Sequence, residues 1–371
     1  MRIVIYSAFY EPFVSGAERM VVETVRRLAG RFSIVVVTAR LDAALPRHEI
    51  RELPDGTSHE IVRLGFGTKR DKFLFPLLAP LWTLGEPHDL VHAVMESYAG
   101  IALWWYRAFG GKKPTLLTLQ SGDLDMPEKN RKIPRFVWRN IHVSPTLVVG
   151  ISRALTARAE RLGAARTMTI PNGVDFGHLA KVPRREKRPH RVVTVARLSP
   201  EKGLPFLIEA MKEVRRTIHD AELTIVGGGA LEAELKAFTA ERSLQDAVHF
   251  VGAKPNVEAM AEVAASAVFA LPSLGEGLGI VLLEAQALGV PVIGTDVGGI
   301  PDVIEHEKTG LLVPPSDPKA LASAITRLLS DHALSEACAL QATSRLARFD
   351  WDKIAEQYAE SYLESVAAAA R

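Results

Sequence analysis

Among 371 residues there is a single cysteine, Cys338, which excludes an internal disulfide framework. On an alanine-rich predicted helix it reads as a small buried hydrophobe, and such sparing thiol use fits a reducing cytoplasm. Long hydrophobic runs are also missing. The longest, Phe73 to Leu84, contains Pro76 and Pro80 and falls short of the roughly 20 residues that a membrane-spanning helix needs. The opening run Met1-Arg2-Ile3-Val4-Ile5-Tyr6-Ser7 is too short for a signal peptide and reads as a buried first strand. Net charge is small, at +2, and glycine and proline are dispersed, which excludes a disordered or low-complexity chain; no nucleic-acid partner is indicated. No Ser-His-Asp or paired Cys-His spacing stands out, so nucleophilic hydrolysis has no support. Gly227-Gly228-Gly229 resembles the opening of a dinucleotide turn, but Glu232 stands where the third glycine of G-x-G-x-x-G belongs, which argues against an NAD enzyme.

What is present is a chain too long for one core, and two α/β domains are expected. Both halves alternate short β-branched runs with amphipathic stretches, the pattern of parallel sheets covered by helices. Strands are predicted at residues 2–6, 33–38, 59–64, 90–93, 115–119, 147–150 and 167–170, then at 191–195, 222–226, 248–251, 268–271, 291–294 and 310–313. A helix is expected over residues 18–29. The charged, proline-bounded run 181–190 reads as a linker between an N-terminal domain, 1–180, and a C-terminal domain, 191–350. Residues 351–371 form an amphipathic helix with Ile354, Tyr358, Tyr362 and Leu363 on one side, expected to pack back on the first domain.

Charge is unevenly divided. Residues 1–180 hold 24 Lys/Arg against 17 Asp/Glu, and the remainder 21 against 26. The basic first half, with Lys69, Arg70, Lys72, Lys112, Lys113, Lys129, Arg131, Lys132, Arg135 and Arg139 near aromatics, suits an anionic lipid or acceptor; a solvated basic face accounts for it equally.

The most informative segment runs from Gly275 to Glu284. Glycines 277 and 279 permit close backbone approach, and the helix they open offers unpaired N–H groups to an anion. Glu276 precedes that helix and Glu284 lies within it, so the two carboxylates can accept hydrogen bonds from different parts of one polyhydroxyl ligand. Arg197 falls just past a predicted strand end, where open α/β sheets bind ligands, and Lys202 follows a short loop later. The two cations make a diphosphate clamp, or are surface charges at a loop. Gly16, opening a helix, brings N–H groups to a phosphate; a Ser15/Glu18 capping box explains the same residues without a ligand. Asp123-Leu124-Asp125 has metal-type D-x-D spacing but lacks other ligands nearby, and His92 at a strand end either lines a cleft or is structural.

Ser15-Gly16-Ala17-Glu18, Pro171-Asn172-Gly173-Val174-Asp175, Arg197 with Lys202-Gly203, Ile225 to Gly229, and the Glu276 to Glu284 segment together resemble glycosyltransferase family 4, the retaining GT-B enzymes. The resemblance spans nearly the whole chain. It implies two Rossmann-like domains facing a cleft, a nucleotide-diphosphate sugar as donor, a hydroxyl acceptor on the first domain, and no metal or other cofactor. It further implies that Arg197 and Lys202 hold the diphosphate and Glu284 the ribose. Glu276 with backbone at Leu278 and Gly279 would hold the sugar, backbone at Ile280, Val281 and Gly16 would complete the phosphate cradle, and Gly229 would line the donor site. Gln120 stands where relatives commonly carry a cleft histidine; it can hydrogen-bond a hydroxyl but not exchange a proton at neutral pH. The expected activity is retaining transfer to an acceptor in glycolipid or surface polysaccharide synthesis, in the cytoplasm with possible peripheral membrane contact. The rivals are a non-catalytic nucleotide-sugar-binding protein and a GT-B epimerase or phosphorylase.

Overall fold

The structure is a computed structural model and describes residues 1–13, 16–122, 134–183 and 185–370. The chain divides into two compact units, Met1–Gly173 with Trp351–Arg371, and Val174–Asp350.

The first unit carries an eight-stranded sheet in the order β3-β4-β2-β1-β5-β6-β7-β8. Its strands are β1 Arg2–Tyr6, β2 Ser33–Ala39, β3 His48–Glu52, β4 Ser58–Leu64, β5 Leu90–Val94, β6 Thr115–Leu119, β7 Leu147–Gly150 and β8 Thr167–Thr169. Between them run α1 Gly16–Leu28, α2 Asp71–Leu84, α3 Tyr98–Ala108, α4 Arg135–Val143 and α5 Arg153–Leu162. Central strands such as β1 and β2 are buried on both faces, hence their unbroken aliphatic runs. β3 was not expected. It pairs antiparallel with β4 at the sheet edge, and its alternating exposure in His-Glu-Ile-Arg-Glu leaves no apolar signal to read.

The second unit holds a six-stranded parallel sheet, β11-β10-β9-β12-β13-β14. The strands are β9 Arg188–Val195, β10 Glu222–Val226, β11 Val248–Phe250, β12 Ser266–Leu271, β13 Val292–Thr295 and β14 Leu311–Val313. The helices are α6 Phe176–Leu179, α7 Leu204–Thr217, α8 Glu232–Glu241, α9 Asn256–Ala264, α10 Ile280–Ala287, α11 Ile300–Val303, α12 Pro318–Ser330 and α13 His332–Arg345. The last helix, α14 Trp351–Ala369, belongs to the first unit.

The expected linker at 181–190 is corrected: it lies within the second unit, and the chain passes between units at Gly173/Val174 and Asp350/Trp351. Charge misled the reading because Arg188 to His190 extend β9 beyond the core. There Arg188 pairs with Glu222 at 3.4 Å and His190 with Asp220 at 2.8 Å in solvent. At the true crossing Gly173 lies under the Trp351 indole, where a Cβ would stand 2.6 Å from the ring.

α14 docks through Trp351, Ile354, Ala355, Tyr358, Ala359 and Tyr362 onto the core containing Val21, Val25 and Ile3. Arg27 to Asp352 at 2.5 Å and Arg31 to Glu356 at 2.8 Å fringe the contact. Leu363, expected on the packed side, is 43% exposed, since a stripe at 354, 358 and 362 turns its neighbour outward. His92 is resolved as structural. It is wholly buried, its Nδ1 lies 2.8 Å from the Tyr362 hydroxyl and its Nε2 2.8 Å from Thr118 Oγ1, and burial pushes its pKa down to about 3.

Candidate active site

In each sheet the strand order reverses direction once. In the second unit the chain moves from β9 outward to β10 and β11, then returns to the other side of β9 with β12. The carboxyl ends of β9 and β12 therefore flank a topological switch point, the place where open α/β sheets take ligands. Arg197, Lys202, Glu276 and the start of α10 all occupy the two loops that follow these strands.

Lys202 closes a short 3-10 turn, Pro200–Lys202, and its Nζ lies 2.7 Å from Glu276 Oε2. Both side chains are partly buried, at 19% and 16% exposure. Ser273 Oγ reaches the same oxygen at 3.4 Å, and the Gly277 N–H donates to Oε1 at 3.1 Å. The loop is braced from beneath: Thr295 Oγ1 donates to the Ser273 carbonyl at 2.6 Å, Gly299 N–H to the Glu276 carbonyl at 3.1 Å, and Leu274 N–H to the Glu201 carbonyl at 2.8 Å. Glu276 is thus a carboxylate with a fixed direction and a cation already beside it.

Gly279 caps α10 with φ +86°, a conformation that side-chain-bearing residues avoid. The half-buried Ile280 and Val281 are the first helical residues, so their N–H groups lack intrahelical acceptors and face the favourable end of the helix dipole. Leu278 is 1% exposed, so its side chain serves the core and only its backbone is available to a ligand. Glu284 lies one turn along α10, with its Oε1 accepting from Asn256 Nδ2 at 3.1 Å. Arg197 is exposed and has no hydrogen bond or ion pair to another described side chain. Gly229 packs backbone to backbone: a Cβ there would stand 2.4 Å from the Leu198 carbonyl oxygen, and one on Gly227 would stand 1.9 Å from that of Ala196. The glycine triplet accordingly seats the Arg197 loop against the loop after β10.

The first unit repeats the geometry at β1 and β5. Gly16 opens α1 after the loop that follows β1, and beyond its chain neighbours and its own helix no atom of the described residues lies within 4 Å of where its Cβ would be; Ser15 lies outside the described residues, and Glu18 is buried. Gln120 follows β6. Its amide pairs reciprocally with Asn172, donating to Oδ1 at 3.3 Å and accepting from Nδ2 at 2.8 Å. Its own backbone N–H donates to Glu96 Oε2 at 3.3 Å, and Glu96, fully buried, pairs with Arg158. Glu96, Arg158 and Asn172 were not assigned from sequence. A carboxylate two residues past the switch-point strand β5 is the signal the sequence offers for Glu96; Asn172 stands in the Pro171–Asp175 motif, which by itself names no partner. Asp123 and Asp125 lie outside the described residues. Among the described residues no group of three or more His, Cys, Asp or Glu side chains is placed to hold a metal ion.

Two α/β units, the second sheet parallel throughout and the first parallel apart from β3, define a protein of GT-B class, with cations, carboxylates and a helix start gathered at the switch point of the second. Residues 177–345 match the family model described as Glycosyl transferases group 1, and residues 14–178 the one described as Glycosyltransferase Family 4. This chain belongs to that glycosyltransferase family. It is 34% identical over 216 residues to the amylovoran biosynthesis glycosyltransferase AmsK of Erwinia amylovora, covering 55% of this chain and 51% of the relative. It is 35% identical over 250 residues to the GDP-mannose-dependent alpha-(1-6)-phosphatidylinositol monomannoside mannosyltransferase of Mycobacterium tuberculosis, covering 62% and 64%. The chain thus spans between half and two thirds of the length of these curated relatives. A solved sucrose-phosphate synthase from Thermosynechococcus elongatus superposes with a TM-score of 0.82 at 25% identity, over 99% of both chains.

Proposed function

We propose that the chain transfers a glycosyl group from a nucleotide-diphosphate sugar to an acceptor hydroxyl, with retention, in cytoplasmic synthesis of a glycolipid or surface polysaccharide. The observation that carries this reading is the Lys202–Glu276 pair beside the α10 start, with Arg197, exposed and bonded to no described side chain, on the adjoining loop. Arg197, Lys202 and the N–H groups of Ile280 and Val281 receive the diphosphate, Glu276 and the Leu278–Gly279 backbone the sugar, and Glu284 the ribose. As the anomeric C–O bond to the diphosphate breaks, charge accumulates on the departing phosphate, where fixed donors stabilise it more than in the ground state. The acceptor oxygen bonds to the anomeric carbon on the same face, and its proton passes to the departing phosphate oxygen, so no step requires Gln120 to ionise. In this reading the donor is the only small molecule needed besides the acceptor. The names of the relatives support a nucleotide-sugar donor, UDP- or GDP-linked, with uracil or guanine as its base.

The test is turnover of UDP- and GDP-sugars with the product anomer read by NMR. Native protein is expected to release nucleoside diphosphate and form an α-product from an α-donor. Glu276→Ala and Lys202→Ala are expected to lower kcat/KM by about 100-fold or more. Near-native rates in both variants defeat the site assignment, and an inverted product defeats the retaining mechanism.

A further inference from the structure

We infer that α2 is a membrane-docking helix that lies flat on an anionic lipid bilayer. A helix apolar on every side, as α2 is from Phe73 to Trp82, ordinarily belongs in a core. In α2 only one side does: Phe75, Pro76, Ala79, Pro80 and Thr83 are buried, whereas Phe73, Leu74, Leu77, Leu81 and Leu84 are exposed, at 63%, 39%, 45%, 52% and 39%. Positions 73, 77, 81 and 84 form one stripe along the whole helix, so a continuous apolar edge faces solvent.

Charge identifies the occupant. Residues 66–84 contain one carboxylate, Asp71, and it is turned inward, 1% exposed. It accepts N–H bonds from Phe66 and Gly67 at 2.7 Å and Thr68 at 2.9 Å, at the helix start where an anion is favourable. Lys69 and Arg70 are exposed and Lys72 half-buried, none with a carboxylate among the described residues within ion-pair distance, and Lys72 lies over the Phe73 ring at 5.2 Å. Exposed leucines in line with uncompensated cations match the acyl boundary and headgroups of an anionic leaflet. A soluble acidic partner accounts for the cations but not for the leucine edge. No helix among the described residues is long and apolar enough to cross a membrane, so the attachment is interfacial.

The inference stands apart from the transfer reading, because docking requires no donor. Flotation of the full chain with vesicles of phosphatidylcholine, and of phosphatidylcholine mixed with phosphatidylglycerol, tests it. Native protein is expected to float with the mixed vesicles at low salt and be released at high salt. Leu77→Glu/Leu81→Glu, at exposed positions, is expected to remain in the dense fraction with an unchanged melting curve, and Lys69→Gln/Arg70→Gln to lose roughly fivefold in partitioning per cation removed. Native protein that does not float with the anionic vesicles, or a leucine variant that floats like native, overturns the inference. A native dimer that the leucine variant dissociates assigns the face to a second copy and overturns it as well.

Discussion

At the scale of single residues, the proposed site consists of side chains that are already held in place by their neighbours. Glu276 receives Lys202 at 2.7 Å and a backbone N–H at 3.1 Å, so it keeps its direction without a sugar present. Gln120 is fixed in the same way by Asn172 and Glu96. Because an amide does not titrate, kcat/KM is predicted to show no limb from position 120 across neutral pH. Gln120→His is expected to introduce one near the ordinary imidazole value, about 6.5. A native profile that already shows that limb, unchanged in the variant, would assign it to another group and contradict the prediction.

At the scale of elements, the order of strands and the loops at their carboxyl ends were legible, because twice-buried strands write themselves as aliphatic runs and Gly277–Gly279 marks a helix start. The contents of α10 were legible too: Glu276 before it, Glu284 inside it. What was not legible was anything set by contact across the chain. The glycines at 227 and 229 read as a broken nucleotide turn, yet the nearest carbonyls, of Ala196 and Leu198, belong to the loop that carries Arg197. β3 lacked an apolar face, and the domain crossing at Gly173 depends on an indole 178 positions further along the sequence. Gly227→Ala is predicted to cost at least about 2 kcal/mol of stability, since it combines a φ of +148° with a carbonyl 1.9 Å from the new Cβ. It is expected also to weaken nucleotide binding by moving Arg197. Chemical denaturation and a nucleotide titration of the variant check both, and native values in either contradict the packing account.

At the scale of the molecule, the two units are predicted to respond differently to acid. In the first, burial pushes His92 down to about 3, and burial together with Arg51 pushes His59 down to about 4. The unfolded chain takes up these protons first, so the stability is complete above about pH 6.5 and declines as pH falls toward those values. By about pH 5 His92 alone costs on the order of 2 kcal/mol, and His59, less completely shielded from solvent, adds a smaller loss in the same direction. In the second unit, burial of Glu262 opposes its ionisation, but Lys254 and Arg191 outweigh it and hold the carboxyl down at about 2. That contribution is complete above about pH 4.5 and is lost only as pH falls toward 2. Hydrogen exchange on acidification is expected to deprotect β5 before β9; the reverse order contradicts the assignment.

The switch point of the second unit is proposed to receive a nucleoside diphosphate on Arg197, Lys202 and the start of α10. Titration calorimetry with UDP and GDP measures it directly. Native protein is predicted to bind one of them, and Arg197→Ala/Lys202→Ala to bind it at least about 100-fold more weakly with its melting temperature in the absence of nucleotide unchanged. Equal affinity in the native and doubly substituted proteins would contradict the account.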